Sequence, residues 1–144
     1  MATLNPYLNF LGNCEEAFNF YKSVFGGDFT YLGRFSEMPP QDGVTLTEEE
    51  KNKIMHVSLP IGPNTILMGS DVGGGWAPKT IIGNNISVSI TADSKEEADK
   101  LFGGLSKGGQ VTMPLADTFW GDYFGMCTDK FDINWMVSFN KNAQ

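Results

Sequence analysis

His56 is the only histidine in the 144 residues. Its ordinary titration range suits proton transfer near neutral pH, so it is a candidate general base. A lone histidine is more often a hydrogen-bonded structural side chain. Arg34 sits on a candidate edge strand, where a guanidinium can clamp an anion or simply face water. Asp71 falls at a strand end and can either position a ligand or cap the neighbouring loop. Trp76, Trp120 and Tyr123 lie in loops or at strand starts, where aromatic rings close pockets or pack in a core or dimer interface. Cys14 and Cys127 form no CxxC, and Cys127 has no cationic neighbour in sequence to activate it, so both read as free, inert thiols of a reducing compartment. No Ser-His-Asp order, phosphate-binding loop or Cys/His cluster occurs. Chemistry therefore depends on which of these scattered groups the fold gathers.

Two helices are marked by caps and apolar stripes. One begins at Asn13, with Glu16 in capping-box position and Ala17, Phe20, Tyr21 and Val24 as its stripe, and stops at Gly26-Gly27. The other begins at Ser94, with Glu97 as the capping partner and Ala98, Leu101, Phe102 and Leu105 as its stripe, and stops at Gly108-Gly109. Cap and stripe recur at a constant offset, the mark of an internal repeat. Each helix follows one strand candidate (4–11 and 85–91) and precedes three more. These are 29–35, 54–61 and 65–70 in the first half, and 110–115, 119–128 and 133–139 in the second. Gly62-Pro63-Asn64 and Asp129-Lys130 read as hairpin turns. The pattern predicts an α+β fold of two βαβββ modules, about 1–72 and 84–141, forming a single domain. An acidic insertion, 36–52, carries a further capping-box start at Thr47-Glu48-Glu49-Glu50. The segment 71–84, with Gly73-Gly74-Gly75, reads as a linker or pocket flap.

Alternation along the strands assigns faces. Leu8, Phe10, Val57, Leu59, Ile86, Val88, Ile90, Trp135, Val137 and Phe139 belong on the helix side. Asn5, Tyr7, Asn9, His56, Ser58, Met68, Ser70, Asn85, Ser87, Ser89, Asn134, Met136 and Ser138 belong on the other. Folding the central hairpin about Gly62-Pro63-Asn64 sets Ser58 near Met68 and His56 near Ser70. A second face of amides, hydroxyls, Tyr and Met, supplied twice by the repeat, has the mixed lining of a small-molecule cavity rather than of a plain wet surface.

Composition excludes some partners. The formal net charge is -7, and an acidic surface repels nucleic-acid phosphates and anionic headgroups. No apolar run reaches the roughly 20 residues of a spanning helix, and the start of the chain lacks a basic and apolar leader, so a cytoplasmic setting is expected.

The chain resembles the PhnB-like branch of the vicinal-oxygen-chelate superfamily, which includes glyoxalase I, bleomycin-resistance proteins and extradiol dioxygenases. The resemblance rests on Asn5-Pro6-Tyr7-Leu8-Asn9-Phe10, Glu15-Glu16-Ala17-Phe18-Asn19-Phe20-Tyr21, the strand around His56 and Leu67-Met68-Gly69-Ser70-Asp71. It rests also on Phe119-Trp120-Gly121-Asp122 and Asp129-Lys130-Phe131-Asp132-Ile133-Asn134-Trp135, where Asp132 replaces the glycine usual in the last turn. The resemblance implies curled sheets that pair into a cup, with help from the partner chain of a homodimer. It implies that metal-using members place ligands at positions matching Asn5 (or Pro6), Met68, Asn85 and Met136. Two amides and two thioethers do not make a divalent-metal site, so no metal and no other cofactor is expected. The expected function is metal-independent binding of a small molecule. The expected lining is Tyr7, Asn9, His56, Met68, Ser70, Asp71, Asn85, Ser87, Trp120, Tyr123, Asn134 and Met136. The alternatives are a lyase, transferase or dioxygenase relying on His56 with Asp71 or Tyr123, and an interaction module with a vestigial cup. Methyl transfer has no support, because no glycine-rich turn leads from a strand into a helix.

Overall fold

One strand, one helix and three strands fold twice along the chain, each time as a helix laid on one face of a four-stranded sheet. The computed structural model describes residues 2–39, 42–43, 45–72 and 79–141. Gly73-Gly74-Gly75 and Trp76 lie outside the described residues. The chain divides into two compact units, Met1–Ile81 and Ile82–Gln144.

The first unit comprises β1 (Tyr7–Phe10), α1 (Cys14–Phe25), β2 (Tyr31–Arg34), a 3-10 turn (Phe35–Glu37), α2 (Glu48–Lys51), β3 (Ile54–Ile61) and β4 (Thr65–Asp71). Its sheet order is β1-β4-β3-β2, with β1 parallel to β4 and the other pairs antiparallel. The second unit comprises β5 (Val88–Thr91), α3 (Lys95–Ser106), β6 (Gln110–Asp117), β7 (Asp122–Thr128) and β8 (Asn134–Asn140). Its order, β5-β8-β7-β6, repeats the first with the same pairing sense. The α+β class and the βαβββ repeat are as the sequence predicts.

In the second unit, Ala98, Leu101, Phe102 and Leu105 are all buried, as their spacing predicts. In the first, the buried stripe is Cys14, Ala17, Phe18 and Tyr21, rotated from the predicted one, and Phe20 and Val24 are half-buried. The rotation has a steric cause on β4. A Cβ at Gly69 would lie 2.6 Å from the Phe18 ring, so the missing side chain makes the hollow that Phe18 fills. Gly125 on β7 does the same for Phe102, whose ring would stand 2.9 Å from a Cβ there.

Caps also differ from expectation. The Asn13 side chain makes no cap bond. Instead the buried Asp71 carboxylate, at the end of β4, accepts from Cys14 N at 2.9 Å, Gly12 N at 3.0 Å and Ile54 N at 2.9 Å. Ser94 caps α3 as predicted, accepting from Glu97 N at 3.0 Å, and Thr47 and Glu50 form both halves of the box that starts α2. Strand β5 begins at Val88, three residues later than predicted, and Ile86 is 76% exposed instead of packed on the helix. The cause is a long-range contact: the Asn134 amide donates to the carbonyls of Gly83 and Ile86, holding that segment by a side chain before the backbone ladder starts.

The β7–β8 turn is organised by Asp129, which is buried. Its carboxylate accepts from Phe131 N, Ile133 N and the Trp135 indole N–H at 2.8, 3.1 and 2.8 Å. Within this turn Asp132 has φ +69°, the left-handed region that disfavours side chains.

Two stability outcomes follow from these contacts. Asp71→Ala leaves three N–H donors without their acceptor and should cost roughly 2–4 kcal/mol in urea unfolding. Asp132→Gly relieves left-handed strain at some cost in chain entropy, and should raise stability by a few tenths to about 1 kcal/mol in the same assay.

Candidate functional site

On the side of the first sheet away from α1, alternate residues of four strands form two rows. One row runs Tyr7, Met68, Ser58, Tyr31 from β1 through β4 and β3 to β2, each paired in register with the next. The adjacent row contains Asn9 paired with Ser70, and His56 paired with Gly33. Strand alternation puts branched apolar side chains under the helix and leaves this mixed set facing out.

His56 is the hub of that face. Its Nδ1 lies 3.0 Å from the Tyr7 hydroxyl and its Nε2 lies 3.0 Å from Ser58 Oγ. Two rings flank the imidazole: Tyr7 at 5.6 Å and 29° between planes, Tyr31 at 5.8 Å and 42°. The Tyr31 ring lies over Gly33, where a Cβ would come within 2.5 Å of its hydroxyl, so glycine leaves room for this ring beside the imidazole. Ser58 is buried beneath the rings, whereas Tyr7 and Tyr31 remain 44% and 48% exposed. The exposed end of the hydrogen-bonded chain is therefore the Tyr7 phenol. Both imidazole nitrogens are engaged, and a direct base at His56 would first have to give up a partner. Asn9 and Ser70 have no side-chain hydrogen bond among the described residues and present free donors and acceptors next to the rings.

The remaining predicted residues divide by face. Met136 lies on the outer side of the second sheet, paired in register with Ser89 and Met126. Asn134 shares that side, but its amide is occupied: it accepts from Thr128 Oγ1 at 2.9 Å and donates to two carbonyls of 83–86. Trp120 precedes β7, with its indole N–H donating to Asp122 at 3.1 Å and its ring against Phe119 and Phe124. Asn85 and Ser87 precede β5 instead of lying within it, and Asn85 is exposed.

Two predicted lining residues are not on an outer face. Asp71 follows the parity of Leu67 and Gly69 and is 3% exposed, turned to the start of α1. Tyr123 likewise sits on the helix side of β7, donating its hydroxyl to Asp99 of α3, with the Lys95 ammonium 4.7 Å over its ring. The bond to Asp99, and then burial, push the Tyr123 hydroxyl up from its ordinary range. Both serve as struts between strand and helix.

Arg34 opens onto a cleft of about 550 Å³ beside the start of α1. Its guanidinium grips Glu15 with two bonds, 3.0 and 2.7 Å, and donates to Asn52 O at 2.8 Å. That grip holds the Glu15 carboxyl below its usual range. Lys53 in the same cleft donates to Gly12 O at 2.9 Å. These cations are already committed and do not form an anion clamp. Both thiols are buried, and burial, reinforced by Asp71 for Cys14 and by Asp129 for Cys127, pushes both up, Cys127 to about 11, which disfavours the reactive thiolate.

Strand alternation places Ser58 on the outer face but not in the expected lining, and Tyr31 stands outside that expectation altogether. The available signal was Tyr31-x-Gly33, a large ring two residues from a glycine on a strand opposite His56.

The positions matching the superfamily's metal ligands do not fit a metal. Asn5 Oδ1 accepts from Ile66 N at 2.9 Å, clasping β4. Met68 and Met136 offer thioethers, and Asn85 stands outside its strand. Among the described residues no three His, Cys, Asp or Glu side chains come together as a ligand set.

The family model described as "Glyoxalase/Bleomycin resistance protein/Dioxygenase superfamily" matches residues 3–137. Protein YjdN of Escherichia coli (strain K12) is 30% identical over 141 residues, covering 94% of this chain and 93% of that protein. The crystal structure of protein PA1353 from Pseudomonas aeruginosa is 40% identical, with a TM-score of 0.81 over 97% of this chain and 98% of that one. A Bacillus cereus PhnB protein, described as a putative 3-demethylubiquinone-9 3-methyltransferase, shares the fold, with a TM-score of 0.73 at 23% identity over 96% of this chain and 99% of that one. With two βαβββ units and a family match over nearly its whole length, the chain belongs to the glyoxalase/bleomycin resistance protein/dioxygenase superfamily.

Proposed function

We propose that this protein binds a small organic molecule on the outer face of its first sheet, without the superfamily's metal. The observation that carries the reading is the group Tyr7, His56, Tyr31 and Ser58: two half-exposed rings flank an imidazole whose nitrogens are both hydrogen-bonded. Partly exposed aromatic surface beside free amide and hydroxyl groups is the lining of a ligand site. The same chain of hydrogen bonds favours a second reading, an enzyme of the superfamily that uses His56 through its neighbours.

A second copy of the chain completes the site in this proposal. The outer face leaves Tyr7 and Tyr31 nearly half exposed, and a second layer buries them. The setting is cytoplasmic, and neither nucleic acid nor membrane is a partner, in keeping with the acidic charge.

Small planar fragments added to labelled protein should shift the signals of the single histidine and of Tyr7 and Tyr31; fragments that bind only elsewhere would count against the site. Sedimentation equilibrium at micromolar concentration should report twice the chain mass, and a clean monomer would remove the second copy from the proposal. Tag-free protein should carry far less than one equivalent of Zn, Ni, Mn or Fe, and those ions should not raise its melting temperature, since only a ligand that prefers the folded state stabilises it. Stoichiometric metal lost on His56→Ala would move the chain into the metalloenzyme class.

A further inference from the structure

We infer that Ser58, His56 and Tyr7 form a relay in which Tyr7 meets the ligand and His56 is a positioning residue that sets the direction of the Tyr7 hydroxyl, so that the site takes planar aromatic ligands bearing an anionic oxygen and holds them more tightly when His56 is protonated. This inference rests on the proposed ligand site and names the ligand class for it.

Donor and acceptor counts limit how these three groups can bond. A neutral imidazole has one N–H and one lone pair, so it can accept the Tyr7 proton at Nδ1 while donating from Nε2 to Ser58, or run in the opposite sense. An imidazolium has two N–H groups and no lone pair. Both neighbours at 3.0 Å must then act as acceptors, Tyr7 through its oxygen and Ser58 through Oγ. With its oxygen accepting from Nδ1–H, the Tyr7 phenol has to aim its own proton elsewhere. The half-exposed ring leaves it free to aim that proton outward, at a ligand oxygen. An anionic oxygen is the acceptor that such a donor holds best, and the positive charge behind it adds to the attraction. The flanking rings of Tyr7 and Tyr31 supply flat surface for an aromatic body.

The electrical surroundings of His56 leave this relay in control. From β1 the titratable group facing it is Tyr7, and from β2 it is Tyr31. Strand β4 contributes the uncharged Met68 and Ser70 on this side, while its Asp71 is turned to the start of α1. Arg34 at the end of β2 is held by Glu15 of α1, and Lys53, just before β3, is held by Gly12 O. Helix α1 itself packs on the opposite face of β3 and β4.

Linkage fixes the sign. A ligand that prefers the protonated imidazole must raise the histidine's midpoint on binding, and its affinity must fall as pH rises through that midpoint. With one histidine in the chain, the midpoint is read from a single NMR signal.

The test uses benzoate as the probe. In full-length wild-type protein, benzoate should shift the His56 signal, raise its midpoint and bind at least fivefold more tightly one pH unit below the midpoint than one unit above. Tyr7→Phe keeps the ring and removes the hydroxyl, and His56→Gln keeps a polar side chain without titration; each should retain weak binding and lose the pH dependence. The charge-neutral benzamide should show less than a twofold change over the same range. Benzoate binding independent of pH, or pH dependence that survives Tyr7→Phe, overturns the relay and leaves the ligand site standing. No effect of benzoate or benzamide on the His56 and tyrosine signals overturns both.

Discussion

Three backbone N–H groups from separate parts of the first unit converge on the Asp71 carboxylate: two where β1 hands over to α1, and one at the start of β3. The carboxylate stands at the end of β4, which lies between β1 and β3 in the sheet. One buried group thus ties four elements at a single point, and it satisfies donors that a helix start leaves open. Without it the start of α1 would need the Asn13 side chain, which is not engaged. The proposed site on the other face depends on this knot indirectly. Tyr7 and His56 come from the two strands flanking β4, and their 3.0 Å contact requires those strands to hold their register across it.

The two units solve the same packing problem with different residues. Each must lay an aromatic helix on a sheet, and each does so by deleting a side chain from the sheet, at Gly69 beneath Phe18 and at Gly125 against Phe102. Each also buries one carboxylate, but Asp71 ties a helix start whereas Asp129 ties a turn and the Trp135 indole. The repeat therefore conserves an arrangement of backbone, and the side chains that lock it are local inventions. An aspartate at φ +69° is tolerable at 132 because Asp129 already pins the turn from within.

The sequence made the repeat, the sheet faces and α3 readable because those depend on periodicity, which a linear string displays. Alternation correctly set His56, Ser58, Met68 and Ser70 on one side of the central hairpin. It failed where a long-range side chain overrode local pattern. Ile86 alternates correctly yet is exposed, because Asn134, far along the chain, holds its carbonyl. Phe18 entered the core in place of Phe20 because a glycine on another strand made room for it. Asp71 and Tyr123 are polar groups near strand ends, and their types alone could not say that each is turned toward a helix. Tyr31 escaped notice because its role comes from lying over Gly33 beside an imidazole two strands' worth of sequence away.

The residues at the positions matching metal ligands and the hydrogen-bonded chain belong to one arrangement on the first sheet. Asn5 bonds to the backbone of β4, and Met68 is the in-register neighbour of both Tyr7 and Ser58, beneath the space where Tyr7 approaches His56. A carboxylate at 68 would put a charge on the face that carries these rings, where a neutral, polarisable thioether now stands. It would also compete with Ser58 and Tyr7 for the imidazole protons. A methionine there accepts only weakly and so leaves the two imidazole nitrogens to their present partners. The outer face of the second sheet carries Met126 and Met136 at paired positions and no imidazole, so the repeat duplicates the sheet without duplicating the Tyr7–His56–Ser58 chain of hydrogen bonds. In the proposed site, polarity is spread along a phenol, an imidazole and a hydroxyl, and directional hydrogen bonds would be the means of recognition.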